Sequence, residues 1–210
     1  MATYERVPDL MRARRSIREF TPEPVDPAAI AYLVEAAYNA PAGSNNRGLY
    51  IVVVDDPALK AEVRRRCEPY DEAWVQSRPE PLHSRLLGLP GLKREKDYLT
   101  ICPFLLVVCN IIGNPDFPYS MESAWTAIEN ICLAATDLGL GTLTYTPEIL
   151  RMKGQTALHD LFGLPAKTRV QSILPVGHIH HAKLPPRERD EAFRRKVFLN
   201  GYGRPYPFRP

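Results

Sequence analysis

MESAWTAIENICLAATDLGLG, residues 121–141, has the strongest helical pattern in this sequence. Apolar side chains recur along it at helical spacing, at Ala124, Ile128, Ile131, Ala135 and Leu138. Small or apolar residues also cover most of the remaining circumference, and a helix that is apolar nearly all round has to be buried. The pattern predicts a central helix that ends at Gly139 or Gly141, because a glycine commonly closes a helix.

Three apolar runs outside this helix predict buried strands, over residues 48–56, 104–111 and 170–179. An Asp-Pro pair opens a helix predicted from Pro27 to Tyr38, and residues 57–67 predict another. Helices that alternate with a few strands form a three-layer α/β or α+β domain. We therefore expect one domain over the whole chain of 210 residues.

The composition is that of an ordinary globular protein, with 45% hydrophobic and 24% charged residues. A net charge of +3 is too small to attract the whole molecule to nucleic acid or to an anionic membrane. The start of the chain has no apolar core typical of a secretory signal, and no run reaches the roughly 20 apolar residues that span a bilayer. These features predict a soluble, cytoplasmic protein without nucleic-acid or membrane partners.

The cysteines and histidines predict no metal site. Cys67, Cys102, Cys109 and Cys132 form no CxxC pair, and three of them lie in apolar surroundings, which favours reduced core thiols. The HIHH stretch at 178–181 does not have the spacing of zinc ligands. Motifs of hydrolases and of nucleoside triphosphatases are absent from the sequence.

Two stretches lack a regular period. Residues 69–94 mix aromatic, proline and charged residues, and predict a mobile excursion that covers a site or, equally, a surface helix pair that contacts no substrate. From about residue 183 the chain becomes polar and then rich in proline, which is typical of an extended tail that could wrap around a partner subunit.

The arginine segment, residues 14–18, concentrates Arg14, Arg15 and Arg18 around Ser16. In a strand or in a helix, Arg14 and Arg18 share one side. Two guanidinium groups and a hydroxyl suit a phosphate, whose oxygens accept paired hydrogen bonds. The alternative is a solvated charge run that pairs with nearby glutamates.

Two further segments carry small and polar residues. The amide loop, residues 41–45, joins a helix to a strand and would let a planar ligand approach closely, although a plain connection would look similar. The threonine segment, residues 141–146, has Thr142, Thr144 and Thr146 at strand period. Their hydroxyls could bond strand-edge backbone groups or the polar edge of a heterocycle.

Taken in order, these segments resemble the flavin-dependent nitroreductase family. The resemblance rests on RRSIREF (14–20), APAGSNN (40–46), KDYLTICPFLLVV (96–108), AIENICLAATDLGLGT (127–142) and LPVGHI (174–179). It implies a three-layer α+β fold, a central mixed or antiparallel sheet flanked by helices, and an intertwined homodimer with FMN at the interface. It also implies hydride transfer from NAD(P)H to the flavin and then reduction of a nitroaromatic, a quinone or a halogenated tyrosine.

The same resemblance implies roles for individual residues. The arginine segment would hold the FMN phosphate and the pyrimidine edge, and Arg189, or failing it Arg187, would complete the phosphate contact. The amide loop would reach the partner's flavin through Pro41, Ala42, Gly43 and Asn45. TLTYTP is similar to the deiodinase branch, which implies that Thr144, Tyr145 and Thr146 lie along the flavin, with Thr144 and Thr146 as the catalytic candidates near N5.

The sequence does not identify a single substrate. Lys96 matches the position of a substrate-binding lysine in the deiodinase branch, and Tyr70 and Trp74 are candidates in the lid. Arg47, Gly48 and Leu49 depart from the usual residues after the amide loop. We expect reduction of a nitroaromatic or quinone, with dehalogenation of a halogenated tyrosine or phenol as the alternative. A flavin-storage protein without turnover is a further alternative.

Overall fold

The computed structural model describes residues 6–45, 48–82, 84, 96–150, 155–180 and 191–208. The helices are α1 Val7–Ala13, α2 Pro27–Tyr38, α3 Pro57–Gln76, α4 Tyr98–Ile101, α5 Ser120–Asp137 and α6 Gln155–Leu161. The strands are β1 Leu49–Val54, β2 Phe104–Ile111, β3 Gly141–Thr142 and β4 Thr168–Gly177. Short 3-10 turns cover Gly43–Asn45, Glu148–Leu150 and Glu191–Lys196.

The four strands form one antiparallel sheet in the order β1-β2-β4-β3. A bulge interrupts the β2–β4 pairing, where Val108 pairs with Ser172 but Cys109 pairs with Val170. The skipped residue, Gln171, donates from its side chain to Asn110 Oδ1 over 2.6 Å, so the bulge is held by a buried hydrogen bond.

Helices cover both faces of the sheet. Successive side chains of a strand point to opposite faces. In β2, Phe104, Leu106 and Val108 pack in the core formed with α2 and α5. Leu105, Val107 and Cys109 pack in a second core formed with α3 and α4. The predicted three-layer α+β fold is confirmed, with an antiparallel sheet.

Helix α2 begins and ends where the sequence predicts. Asp26 Oδ1 accepts the backbone N–H of Ala28 over 2.8 Å, and Pro27 occupies the first turn, where no N–H is needed. Helix α5 also ends where the sequence predicts. It closes at Gly139, whose φ of +75° allows the N–H of Leu140 to reach the Ala135 carbonyl over 2.8 Å.

Two elements are less buried than their sequences predict. Within one chain, α5 leaves Met121 and Trp125 48% and 39% exposed. In β1, Tyr50 and Val53 are each 42% exposed, because β1 is the first strand of the sheet and is paired on one side only. A run of apolar residues therefore indicates a strand but not its position in the sheet.

Helix α3 corrects the predicted start of the excursion at residue 69. The helix continues through Pro69 to Gln76, and Asp71 and Val75 are buried on its inner face. Proline at position 69 suggested a break, but the apolar positions continue at helical spacing beyond it. The described part of the excursion begins after Gln76.

All four cysteines are buried free thiols, as predicted. None of the helices in the described part of the chain is long and apolar enough to cross a bilayer. Residues 191–208 of the predicted tail form a 3-10 turn and a tight reversal, in which Phe198 bridges Pro205. Its role toward a partner subunit stays a prediction.

Candidate functional site

The arginine segment runs beside β3. Ser16 forms a parallel bridge with Thr142, and the backbone N–H of Ile17 donates to the Thr142 carbonyl over 2.8 Å. Ile17 and Phe20 are buried, whereas Arg18 is exposed. Ile17 and Phe20 pack the segment against the core, and Arg18 stays exposed next to the threonine segment.

Gly141 permits this close approach. A Cβ atom at residue 141 would lie 2.9 Å from Cγ2 of Ile17, which is shorter than any normal carbon contact. The second glycine of GLGT is therefore needed for packing the arginine segment against β3.

Arg14 and Arg18 have few close partners among the residues that the structure describes. Arg14 Nε lies 3.5 Å from Glu129 Oε1, and Nη1 of Arg18 donates to the Ser16 carbonyl over 3.4 Å. Charge-assisted hydrogen bonds are usually near 2.7–2.9 Å, so both contacts are weak. Each guanidinium has five N–H donors, and most remain for an anionic ligand. Arg15 is half-buried between them.

The threonine segment alternates between core and surface. Thr142 is buried, Thr144 is half-buried with its hydroxyl 3.6 Å from Cys132 Sγ, and Thr146 is exposed. The Tyr145 side chain is only 7% exposed and packs in the core, so a place for Tyr145 along the flavin stays a prediction. Thr144 and Thr146 thus offer hydroxyls to a ligand, and the Tyr145 ring does not.

The cysteine nearest to these threonines is not a nucleophile. Burial is the main cause that raises the pKa of the Cys132 thiol, and it outweighs the hydrogen bonds from Thr142 and Thr144 that lower it. A protonated thiol is a poor nucleophile. Burial therefore disfavours a thiolate at Cys132.

The amide loop packs on the first half of α5. The Thr126 hydroxyl donates to the Pro41 carbonyl over 3.1 Å, and the Gly43 N–H donates to Ser123 Oγ over 3.2 Å. A Cβ at residue 43 would lie 2.6 Å from the Tyr119 ring. Gly43 is therefore required for the loop to lie flat on this helix.

The loop closes on itself and exposes polar groups. The Asn45 N–H donates to the Ala42 carbonyl over 3.0 Å, and Ser44 and Asn45 have φ values of 53° and 57°. Asparagine tolerates this left-handed region better than most residues. Thr126 under the loop and Glu129 beside Arg14 are one turn apart on α5, so this helix supports both predicted cofactor segments.

Beneath the threonine segment lies a buried ionic cluster, composed of Asp71, Lys96 and Tyr145. Asp71 Oδ2 accepts the Tyr145 hydroxyl over 2.7 Å and lies 3.0 Å from Lys96 Nζ. The three residues are 7%, 3% and 7% exposed. Burial, followed by the nearby Cys67 and Asp71, raises the pKa of Tyr145 well above its usual value, so its hydroxyl keeps the proton that it donates.

A family model and individual relatives both match this chain. The model described as the nitroreductase family covers residues 11–178. The chain belongs to the nitroreductase family. It is 31% identical, over 81% of its length and 87% of the relative's, to an iodotyrosine deiodinase of Thermotoga neapolitana. It is 30% identical to the iodotyrosine deiodinase of Danio rerio, over 89% of this chain and 65% of that protein.

Solved structures agree with the family assignment. An oxidised iodotyrosine deiodinase bound to FMN and 3-iodo-L-tyrosine superposes with a TM-score of 0.76 at 30% identity, over 87% of this chain and 94% of that one. The family, its fold and a flavin-dependent class of enzyme are thereby established, as the sequence predicted.

The lid residues predicted in this nitroreductase family member are not grouped around one open site. Tyr70 is half-buried and packs against the core. Trp74 is half-buried beneath Arg78, whose guanidinium carbon lies 4.9 Å from the ring centre. Lys96 lies inside the buried ionic cluster, so its ammonium is already paired.

Asp71, the acceptor at the centre of this cluster, was not predicted from the sequence. One signal was present. Val63, Cys67, Asp71 and Val75 follow each other every four residues and are all buried, so Asp71 occupies an apolar stripe of α3. A carboxylate in such a stripe requires partners inside the protein.

Some predicted features lie outside the described residues, namely Arg187, Arg189 and Arg47. Within the described ranges, no three His, Cys, Asp or Glu side chains are grouped as metal ligands would be. An open groove between α1, α2 and α5, lined by Leu10, Tyr32 and Asn130 among others, contains none of the predicted cofactor residues.

Proposed function

We propose that this member of the nitroreductase family is an FMN-dependent reductase of a planar aromatic acceptor. The observation that carries the proposal is the bridge between Ser16 and Thr142. It brings cationic donors and exposed hydroxyls, which are 120 residues or more apart in sequence, to one edge of the sheet. FMN has the matching chemistry, a dianionic phosphate at one end and polar ring atoms at the other.

The residues fit this group without rearrangement of the core. Arg14 and Arg18 make only long contacts with the described part of the chain, and Thr146 is exposed. The arginine segment would hold the phosphate and the pyrimidine edge, with Arg189 as a further proposed contact. Thr144 and Thr146 would lie along the flavin, with the Thr146 hydroxyl or backbone near N5. The FMN-bound deiodinase, 30% identical, supports this assignment.

FMN supplies a carrier that accepts two electrons and returns them one or two at a time. The arginines would offset the negative charge of the phosphate and of the reduced ring. The Thr146 hydroxyl would hold a hydrogen bond at the ring edge where a proton is exchanged. We propose NAD(P)H as the source of the hydride.

Reductive dehalogenation of a halogenated phenol is the first candidate reaction. Overall, one hydride from NAD(P)H replaces the halogen, which yields the phenol, NAD(P)⁺ and halide. The deiodinases at 30% and 31% identity support this reaction. The burial of Lys96 argues for a phenol without an amino-acid group, because this lysine is paired with Asp71 and does not present a free cation to a carboxylate.

Reduction of a nitroaromatic or a quinone is the second candidate, and the same buried lysine favours it. With a nitroaromatic, one NAD(P)H and one proton would yield the nitroso compound, NAD(P)⁺ and water. Neither acceptor needs an ammonium partner, so the pairing of Lys96 would not hinder binding.

We also propose that the protein is a homodimer. Tyr119, Met121 and Trp125 are 57%, 48% and 39% exposed on and next to α5, beside the amide loop. A two-fold interface over this helix would bury them and would bring the loop to the partner's flavin. Sedimentation of the flavin-loaded protein tests this directly, since a stable monomer with bound flavin would contradict it.

The central experiment uses the purified protein with FMN reduced anaerobically by NAD(P)H. The reduced protein is mixed in separate samples with an iodinated phenol, 3-iodo-L-tyrosine, a nitroaromatic and a quinone. Halide release identifies dehalogenation, and rapid reoxidation by the nitroaromatic or the quinone alone identifies the second candidate. A protein that binds FMN but passes no electrons to any of these acceptors, even after its flavin is reduced with dithionite, would instead be a flavin-storage protein. A protein that does not bind FMN would refute the proposal.

A further inference from the structure

We propose that Asp71 is a positioning residue that fixes the backbone on both sides of Thr146. Its two carboxylate oxygens are used separately. Oδ2 accepts the Tyr145 hydroxyl over 2.7 Å, and Oδ1 accepts the backbone N–H of Glu148 over 2.7 Å. Tyr145 precedes Thr146 and Glu148 follows it by two residues. The inference rests on the proposed function in one respect, that the group positioned by Thr146 is FMN.

The backbone on one side of Thr146 is also held by the sheet. The N–H and the carbonyl of Tyr145 both bond to Ile173, over 3.1 and 2.9 Å, and Ser172 Oγ donates to the same carbonyl. Thr146 itself is exposed. Its neighbours are thus held by the sheet and by Asp71, while its own side chain stays accessible. A ligand-contacting residue is most precise when the residues behind it are locked in this way.

Stability alone does not explain the cluster. A buried ion pair is often no better for stability than apolar side chains of the same volume, because both charges lose their hydration. The side chains of Lys96 and Asp71 are only 4% and 9% exposed, so both are dehydrated. The Asp71 carboxylate provides two hydrogen-bond acceptors at fixed angles, which an apolar residue cannot do. They accept from the Tyr145 hydroxyl and the Glu148 N–H, on either side of Thr146.

Two variants separate positioning from packing. Tyr145→Phe keeps the ring and removes the hydroxyl that bonds to Asp71. Asp71→Asn with Lys96→Met removes both charges together, so that no buried charge is left unpaired. The matched control is Lys60→Met. Lys60 is a buried lysine of α3, the helix that carries Asp71, and its Nζ donates to the Cys102 and Pro103 carbonyls and not to a residue of the threonine segment.

The first measurement is amide hydrogen exchange of peptides covering residues 143–150, in the protein without added FMN. We expect the exchange rate to rise at least tenfold in Tyr145→Phe and in Asp71→Asn with Lys96→Met, the two cluster variants. In Lys60→Met it should stay at the wild-type rate, even if all three variants melt at lower temperatures. Unchanged exchange in the cluster variants, or an equal rise in the control, would overturn the proposal.

The second measurement uses the FMN-loaded protein and determines the reduction potential of the bound flavin and its dissociation constant. We expect the cluster variants to shift the potential while FMN affinity changes less than threefold, and the control to change neither. If the reduction potential of the flavin is the same in all variants, Asp71 has a structural role only. If the wild-type protein binds no FMN, the proposed function fails, and hydrogen exchange alone then decides whether Asp71 holds this backbone.

Discussion

Two sets of charged residues contact the threonine segment, and they differ in how their charges are balanced. In the arginine segment, the Arg14 side chain is 21% exposed and lies 3.5 Å from the carboxylate of Glu129. In the buried ionic cluster, Lys96 and Asp71 are 3.0 Å apart and nearly inaccessible. Arg14 and Arg18 make only weak contacts with the described residues, whereas Lys96 and Asp71 are paired with each other inside the protein.

The sequence pattern predicted ligand contacts in both sets, at the arginines and at Lys96. Only burial and partner distance separate them. A cation beside a predicted site is therefore a good ligand candidate when it lacks a close carboxylate, and a poor one when a buried carboxylate is already paired with it.

The largest loss of stability is expected when one member of the buried Asp71–Lys96 pair is removed. Asp71→Ala or Lys96→Ala leaves a buried charge without a partner, which costs about 3–5 kcal/mol of unfolding free energy. Urea unfolding followed by circular dichroism measures this loss. Asp71→Asn with Lys96→Met should recover most of it, and a double variant as unstable as the single ones would show that the pair is not coupled.

The arginine segment should show the opposite behaviour, a loss of binding with little loss of stability. Arg14→Ala or Arg18→Ala should weaken FMN affinity by about 1.5–3 kcal/mol each, or roughly 10- to 150-fold, since each removes a charge-assisted hydrogen bond. Quenching of FMN fluorescence measures the dissociation constant. Arg12→Ala is the control, because Arg12 pairs with Asp9 in α1; equal losses in all three variants would indicate a nonspecific charge effect.

The elements that were predicted correctly are helices with capping residues at their ends and strands that are buried on both faces. Asp26 and Pro27 mark the start of α2, and β2 lies between two strands with a core on each face, so its apolar run has the same limits as the strand. The end of α3 was mispredicted because Pro69 resembles a helix end, whereas the packing of Asp71 and Val75 keeps the helix intact beyond it.

The residues of the candidate site were predictable only where the functional groups lie close together in one segment of the sequence. The arginine segment and the threonines are visible in the sequence, but their contact at Ser16 and Thr142 depends on tertiary structure. Asp71 meets the Tyr145 hydroxyl across 74 residues, and no local pattern connects them. Long-range partners of buried polar groups are therefore what sequence alone leaves undetermined.

A third change tests the contact that brings the arginine segment to the threonine segment. Gly141→Ala would place a Cβ 2.9 Å from Ile17, so either the segment or β3 must shift. Overpacking of this kind costs about 1–3 kcal/mol. Thermal unfolding measures the loss, and FMN titration should show weaker binding as well. Gly201→Ala is the matched control, because a Cβ there meets no atom within 4 Å; a similar loss in both variants would refute the packing argument.

The smallest effect concerns Glu62, which lies on the same helix as Asp71 but is paired at the surface. Hydrogen bonds from Arg65 and Arg66 lower the pKa of Glu62 from 4.5 to about 2. A folded-state pKa below the unfolded value stabilises the folded protein above about pH 4.5, and this contribution is lost as the pH falls toward 2. Carboxyl NMR titration should therefore give Glu62 a midpoint well below that of a free glutamate.

Solvent and salt weaken such surface pairs, so Glu62→Gln should change stability at pH 7 far less than any substitution in the buried pair. A loss as large as that of Asp71→Ala would remove the distinction between the exposed and the buried charges.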